Sequence, residues 1–304
     1  MNGGSIWAAL GLLVSATFLF SVLDTATKFV TAMGVPVIMV LWVRCLCQAG
    51  SMIPLALRQR GRASLATQHP WIHVLRGLLM AGSNVLATMS LRVLPLAEFT
   101  AIAMLTPLLV TLMAALLLKE RVSVLRWLCV LGGFAGTLLI ARPSGNGIGW
   151  NILLPLGMVV IGAGFQTLTS LMARTESATT MHLYTGISAG VAATAVLPLF
   201  WQSGVAWSLW AIMLLGGLCA SAGHFLFILA FGRAPAATLM PYMYGQVAFS
   251  LGWGWLVFSQ LPDRLSATGI GVIVVAGICG AWLSSHEARS RARERLAAGL
   301  GTVV

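Results

Sequence analysis

Apolar residues run with little polar interruption for about 20 positions at a time, and they do so ten times: over 6–29, 35–57, 70–91, 97–118, 124–141, 149–172, 178–201, 207–231, 236–259 and 266–284. A helix rising ~1.5 Å per residue crosses the ~30 Å hydrocarbon layer in such a stretch. A tilted barrel strand needs about half that length and a strict polar alternation that these runs lack. The pattern therefore predicts an all-α polytopic membrane protein with ten transmembrane helices, in which every backbone polar group inside the bilayer is satisfied within its own helix. The breaks between runs are short and carry Pro, Gly and Ser, as in Arg142-Pro143-Ser144-Gly145-Asn146-Gly147. No loop has room for a soluble domain.

The second half repeats the first. Gly77-Leu78 recurs as Gly217-Leu218, Leu86 as Leu226, Pro95 as Pro235, Ala97 as Ala237 and Leu116 as Leu256, each at an offset of 140. Near the start of each half the offset is 142, which sets Asp24-Thr25-Ala26-Thr27 against Gln166-Thr167-Leu168-Thr169. Five helices is an odd number, so the second copy enters the membrane from the side opposite to the first. The expected organisation is two inverted five-helix repeats, 1–143 and 144–285, followed by a basic tail, 286–304. Inverted repeats of membrane helices are the usual frame of a secondary transporter whose substrate site lies between the copies.

Composition agrees: 59% of residues are hydrophobic and 8% charged, far too few polar groups to solvate a soluble surface. The net charge of +11 is a topology signal. With the amino terminus inside, the cytoplasmic segments hold Arg58, Arg60, Arg62, Lys119, Arg121, Arg126, Arg174, Arg233, Arg289, Arg291, Arg293 and Arg295, against Lys28, Arg92, Arg142 and Arg264 outside. That asymmetry places both termini in the cytoplasm of a bacterial-type inner membrane and removes nucleic acid as the reason for the charge. The tail can touch anionic headgroups or act as a solvated stop-transfer flank. The first run has no basic leader and is longer than a signal-peptide core, so it reads as a retained helix.

The five cysteines all fall within apolar runs and none has zinc-type spacing with His, so no metal is implied. No nucleophile elbow, His-Glu-x-x-His or phosphate loop is present, and seven acidic residues leave little for acid–base catalysis. An enzyme and an ATP-driven pump are both disfavoured, and no cofactor is expected.

Several stretches carry a family likeness: Arg76-Gly77, Ala97-Glu98, Thr106-Pro107, Lys119-Glu120-Arg121-Val122 and Gly132-Gly133-Phe134-Ala135-Gly136 in the first half, and Pro241-Tyr242-Met243-Tyr244-Gly245-Gln246 with Phe258-Ser259-Gln260-Leu261-Pro262-Asp263 in the second. Over about residues 6 to 284 the chain resembles the EamA type of the drug/metabolite transporter superfamily. The resemblance implies a ten-helix carrier working by alternating access, with relatives that move amino acids, amino-acid-derived metal chelators, riboflavin, S-adenosylmethionine or toxic cations. The acidic residue that commonly closes the family's helix-nine motif is Gln260 here, while its first-half partner Glu120 is kept.

The candidate site is the set of polar residues inside the spans. Arg44 lies near the middle of the second run, where an ionised side chain costs about 2.5 to 3.5 kcal/mol and must face the interior. It either clamps a substrate carboxylate or pairs structurally with Asp24. Gln48 follows on the same helix face. Asp24 and Lys28 are spaced for an i,i+4 ion pair, with proton uptake the alternative role for Asp24. Asn84 and His224 hold equivalent places in the two halves, and Gln166 is the counterpart of Asp24. Tyr242, Tyr244 and Gln246 follow Pro235 and Pro241 in the ninth run, as a cavity wall beside a kink. Arg76 is expected to snorkel to headgroups, Glu98 to cap its helix, and Trp71, Trp150, Trp207 and Trp210 to anchor span ends. Trp253 and Trp255 lie deeper and read as packing or as a stacking surface. The Gly132/Gly136 and Ala276/Gly280 pairs read as close helix contacts. The charges of Asp24, Lys28, Arg44 and Arg76 favour a zwitterionic or anionic cargo, an amino acid or amino-acid-derived compound moved outward; a flat heteroaromatic such as riboflavin moved inward is the alternative. The expected partners are that cargo, membrane lipids and protons as coupling ion, and the chain can pair as a homodimer.

Overall fold

The computed structural model describes residues 3–60, 67, 69–117, 123–141, 152–172, 176–231, 233 and 242–300. Among them the chain is helical with no strand: α1 (Gly3–Ala32), α2 (Val37–Arg60), α3 (Pro70–Val93), α4 (Leu96–Ala103), α5 (Thr106–Leu117), α6 (Val124–Ala141), α7 (Leu153–Met172), α8 (Ala178–Val196), α9 (Trp207–Phe231), α10 (Gly245–Phe258) and α11 (Arg264–Leu300). The inter-repeat linker 142–151, the segment 118–122 with Glu120, and 234–241 with Pro235 and Pro241 lie outside the described residues, as do the side chains of the arginines at 289–295.

Helix boundaries follow local chemistry. Pro70 opens α3, where a missing N–H costs nothing, and Ser177 caps α8 by accepting from the Thr180 amide at 3.1 Å. The exposed residues are largely apolar, including Trp7, Val124, Leu128, Leu131, Val191, Leu256, Val275 and Trp282. That inside-out distribution suits lipid as the surrounding solvent. Trp71 and Trp207 sit at helix starts with 82% and 89% of their surface exposed, where interfacial rings belong.

The two repeats interlock rather than stand apart. α1 packs on α9 as α7 packs on α3; α2 meets α9 as α8 meets α3; and α1 touches α10 as α7 touches α4 and α5. Exchanging the halves maps each of these pairs onto its partner, while α2–α8 and α6–α11 map onto themselves. The packing is thus that of ten spans in two pseudo-symmetric sets. Eight spans form a ring around the centre, and α6 and α11 stand outside it, joined through small residues. A β-carbon on Gly136 would come within 2.7 Å of the Gly269 carbonyl, and Gly132 faces Ala276. The expected glycine contacts are therefore real, and they permit backbone approach without a polar glue.

Two expectations need correction. The run 97–118 is not one helix: it breaks at Met104 and Leu105 into α4 and α5. Pro107 has no N–H, so the carbonyl four residues earlier loses its helical donor, and the backbone tightens instead through Met104 N–H to Ala101 O (3.1 Å) and Leu105 N–H to Ile102 O (3.0 Å). The ninth span is interrupted by a turn at Tyr244, which is 140 residues beyond Met104. The two interruptions meet, since the Tyr244 hydroxyl donates to the Met104 carbonyl at 3.0 Å. Second, the last helix does not end near 284 but continues to Leu300, so the basic tail prolongs the tenth span as helix.

Candidate functional site

The polar candidates converge where α1, α2, α8, α9 and α10 face one another. Gln246, in the first turn of α10, donates from Nε2 to Asp24 Oδ2 at 3.2 Å. Asp24 in turn interacts electrostatically with Arg44 of α2. The Arg44 guanidinium donates from Nη2 to Nε2 of His224 on α9 at 3.4 Å. Arg44 has no lone pair to offer, so that imidazole nitrogen is the acceptor and the His224 proton sits on Nδ1. The His224 ring packs edge-on against Phe20, with centroids 4.8 Å apart, and against His182 of α8 at 6.2 Å.

His182 extends the chain into a second polar layer. Gln48 Nε2 reaches its Nδ1 at 3.3 Å and its carbonyl at 3.2 Å. With Nδ1 accepting, Nε2 is the donor to Ser221 Oγ at 3.3 Å, and Ser221 shares a 2.7 Å hydrogen bond with Ser51. A polar path therefore runs from Gln246 and Asp24 past Arg44 to His224 and, across a ring contact, to His182 and Ser221, with Asp24 coupled to Arg44 through charge and not through a hydrogen bond. It draws on both repeats, as a site between inverted copies must.

This path is not sealed in apolar packing. Asp24, Arg44, Asn84, Gln166 and His224 lie inside their spans, away from the ends, yet are only half-buried. A narrow crevice of about 10 Å³, room for a single water, lies between α1, α2 and α9 beside Arg44, walled by Leu23, Ala26, Thr27, Val30, Val40 and Gly216 among others. Gly217 lets α9 approach, because a β-carbon there would sit 3.3 Å from the Arg44 α-carbon and 2.7 Å from Cys47 Sγ.

Among the buried side-chain atoms without a hydrogen-bond partner in the described residues are Arg44 Nε, Gln48 Oε1, Asn84 Nδ2 and Gln166 Oε1, together with both ring nitrogens of His73. An unmet donor or acceptor in a span costs about 1–3 kcal/mol, so such atoms are met by water or by a ligand. Of the guanidinium and amide atoms, two are donors and two are acceptors. Asn84 belongs to α3 and Gln166 to α7, on the far side of the ring from Asp24.

Other sequence candidates fall elsewhere. Lys28 does not pair with Asp24 in this conformation: its ammonium donates to the Leu91 carbonyl at 3.0 Å and to that of Leu94. Arg76 does not snorkel. It is 1% exposed, donates to Thr169 Oγ1 (3.2 Å) and to the Met181 carbonyl (3.4 Å), and lies over the Phe165 ring. Tyr244 is buried on the Met104 carbonyl, while Tyr242 is exposed. Trp253 donates to Ser21 Oγ at 3.2 Å and tilts against Phe18, which is packing. Gln260 lies past the left-handed residue Ser259 (φ 52°) that ends α10, exposed and with its amide bonded to the Gly254 carbonyl at 2.9 Å. Glu98 occupies the first turn of α4.

Two histidines in the spans escape a reading by sequence position. His182 joins the polar path, and His73 stacks on Tyr184 with centroids 4.9 Å apart, 3.9 Å from Glu176. The signal that could have found His182 is the polar string Thr179-Thr180 through His182 to Tyr184-Thr185, which interrupts an otherwise apolar run, whereas no such string surrounds His73.

Residues 6–142 match the EamA-like transporter family. A riboflavin transporter from Rhizobium johnstonii is 28% identical over 73% of this chain and 74% of its own. A pseudopaline exporter from Pseudomonas aeruginosa is 28% identical over 88% of this chain and 93% of its own. An S-adenosylmethionine uptake transporter from Rickettsia prowazekii is 28% identical over 71% and 73%. Among solved structures, a crystal structure with 21% sequence identity superposes on 91% of this chain and 98% of its own, with a TM-score of 0.65, so the fold is shared.

Proposed function

We propose that this chain, a multi-pass membrane protein with an EamA-like transporter domain at residues 6–142, carries a small zwitterionic or anionic metabolite outward by alternating access. The observation that supports this most is the Arg44 guanidinium, held midway through its span with Nε buried and unpartnered. A cation there is stabilised by a carboxylate, and a charge-assisted hydrogen bond of this kind contributes about 1.5–3 kcal/mol. Asn84 Nδ2 is a second donor, while Gln48 Oε1 and Gln166 Oε1 offer acceptors to an amine. An amino acid or an amino-acid-derived chelator has both ends. The similarity to a pseudopaline exporter favours the same class and direction.

The cargo carboxylate competes with Asp24 for Arg44. Once displaced, a buried carboxylate without its cation is neutralised by a proton, which makes protons the coupling ion of the cycle. His224, already bonded to Arg44, is the neighbouring group able to pass that proton on. The basic residues of the short loops support a reading with both termini in the cytoplasm of an inner membrane.

A second reading has specific support. Riboflavin transporters recur among the relatives, and two amide side chains with free acceptor and donor atoms also match the alternating edge of a flat heteroaromatic ring. Counterflow in proteoliposomes separates the two. Vesicles preloaded with unlabelled amino acids, opine-type chelators or riboflavin are scored for accumulation of the labelled compound. Accumulation with a compound bearing carboxylate and amine groups supports the first reading. Accumulation with riboflavin alone replaces it, and none with any member of the panel removes both.

A further inference from the structure

One cation lies above the polar path and takes no part in it. Lys28 sits one helical turn beyond Asp24, on the same face of α1, and is 8% exposed. A buried ammonium must be satisfied on all sides. Two of its three protons go to the carbonyls of Leu91 and Leu94, at the carboxyl end of α3 and just past it. The Phe258 ring at the end of α10 covers it, 5.5 Å from centroid to Nζ, and Glu98 of α4 lies within electrostatic reach. The carbonyls at a helix end have no intrahelical donor and carry partial negative charge, so Lys28 caps α3 from a different helix. Four elements are thereby drawn together at one end of the ring.

That closure breaks the symmetry of the fold. α1 and α3 stand across the ring from each other, yet they pack together at this end. Exchange of the two halves turns this pair into α7 and α9, and among the described residues these make no comparable packing at the opposite end. The place equivalent to Lys28 in the second repeat is Ser170, which has no ammonium to offer.

We propose that Lys28 is the latch of the outer gate: bound to the Leu91 and Leu94 carbonyls under Phe258, it holds the pathway shut above Asp24 and Arg44, and the structure is the state closed at this end. The proposal rests on the transporter reading and its orientation. Opening transfers the ammonium from the α3 carbonyls to the Asp24 carboxylate one turn away, so the i,i+4 pair legible in the sequence belongs to the other state. Alternative partners for one charge give a two-state element.

The test measures distances and needs no cargo. Nitroxide pairs are placed on exposed residues in a background free of the five native cysteines: Met33 with Val93 at the outer end, Leu171 with Arg233 at the inner end. Double electron–electron resonance in nanodiscs is expected to show a short outer distance in wild type. In Lys28→Met the outer distribution shifts to longer values and the inner one to shorter values, and in Lys28→Arg both stay near wild type. An outer distribution in folded Lys28→Met that superposes on wild type overturns the latch. If Lys28→Met does not purify, Phe258→Leu, which uncovers the ammonium while keeping its charge partners, must lengthen the outer distance, and failure to do so overturns it equally. Unmoved distances in a chain that still transports defeat the latch alone. Absence of any transported compound defeats the transport reading and leaves a measured shift in place.

Discussion

Arg44, half-buried, and Tyr244, buried, are both polar side chains within the spans of a lipid-facing protein, but their partners divide them into two kinds. Tyr244 has spent its hydroxyl on Met104 and is wedged under Gly277, where a β-carbon would overlap that hydroxyl. Arg44 keeps a free Nε beside a cleft. Arg44→Leu is expected to weaken cargo binding about 10- to 100-fold, the equivalent of losing ~1.5–3 kcal/mol, with Arg44→Lys recovering part of it, as read from concentration dependence of counterflow. Tyr244→Phe leaves the Met104 carbonyl without a donor and should lower unfolding stability by about 1–3 kcal/mol without changing cargo affinity, as read from unfolding in detergent. Asp24, Arg44, Gln48, His224 and Gln246 were legible because a polar residue in an apolar run stands out. The division between Arg44 and Tyr244 was not, since it depends on which carbonyl or cleft lies across a helix gap.

Among the elements, the broken fourth span carries the most meaning. Hydropathy is blind to it, because Met104, Leu105 and Pro107 are apolar and the single threonine between them, Thr106, does not interrupt the hydropathy of the run 97–118. The signal lay in Pro107 alone, a residue that removes one backbone donor wherever it sits in a helix. Interrupted spans that meet at the centre let backbone groups face a pathway and give a hinge. Pro107→Ala is expected to restore the donor, raise the thermal unfolding temperature and slow transport several-fold, measured together on one preparation. The α6–α11 seam is a different kind of element, built on close backbone approach. Gly136→Leu forces a side chain into the Gly269 carbonyl and Ile273 and should cost at least about 1–3 kcal/mol, seen as reduced membrane yield. Here the glycine spacing was enough for the sequence to reveal the contact.

At the scale of the whole molecule, the repeat offset of 140 was the strongest mark in the sequence, and it returns in space as the Tyr244–Met104 hydrogen bond between equivalent positions. Exchange of the halves accounts for the main helix pairs, so ten spans in inverted sets could be read from length, oddness and self-similarity. The exception, α1 against α3 at one end only, could not, because a single sequence encodes both states of a carrier and the repeat signal averages over them. The central claim is movement of a compound across the membrane through the site at Arg44. Its most direct test is comparative metabolite profiling of medium and cells producing wild type, Arg44→Leu or no protein, with equal amounts of each variant in the membrane. The account predicts at least one compound with amine and carboxylate groups that leaves the cell with wild type and is retained with Arg44→Leu. Identical profiles in all three, or export by Arg44→Leu equal to wild type, would contradict it.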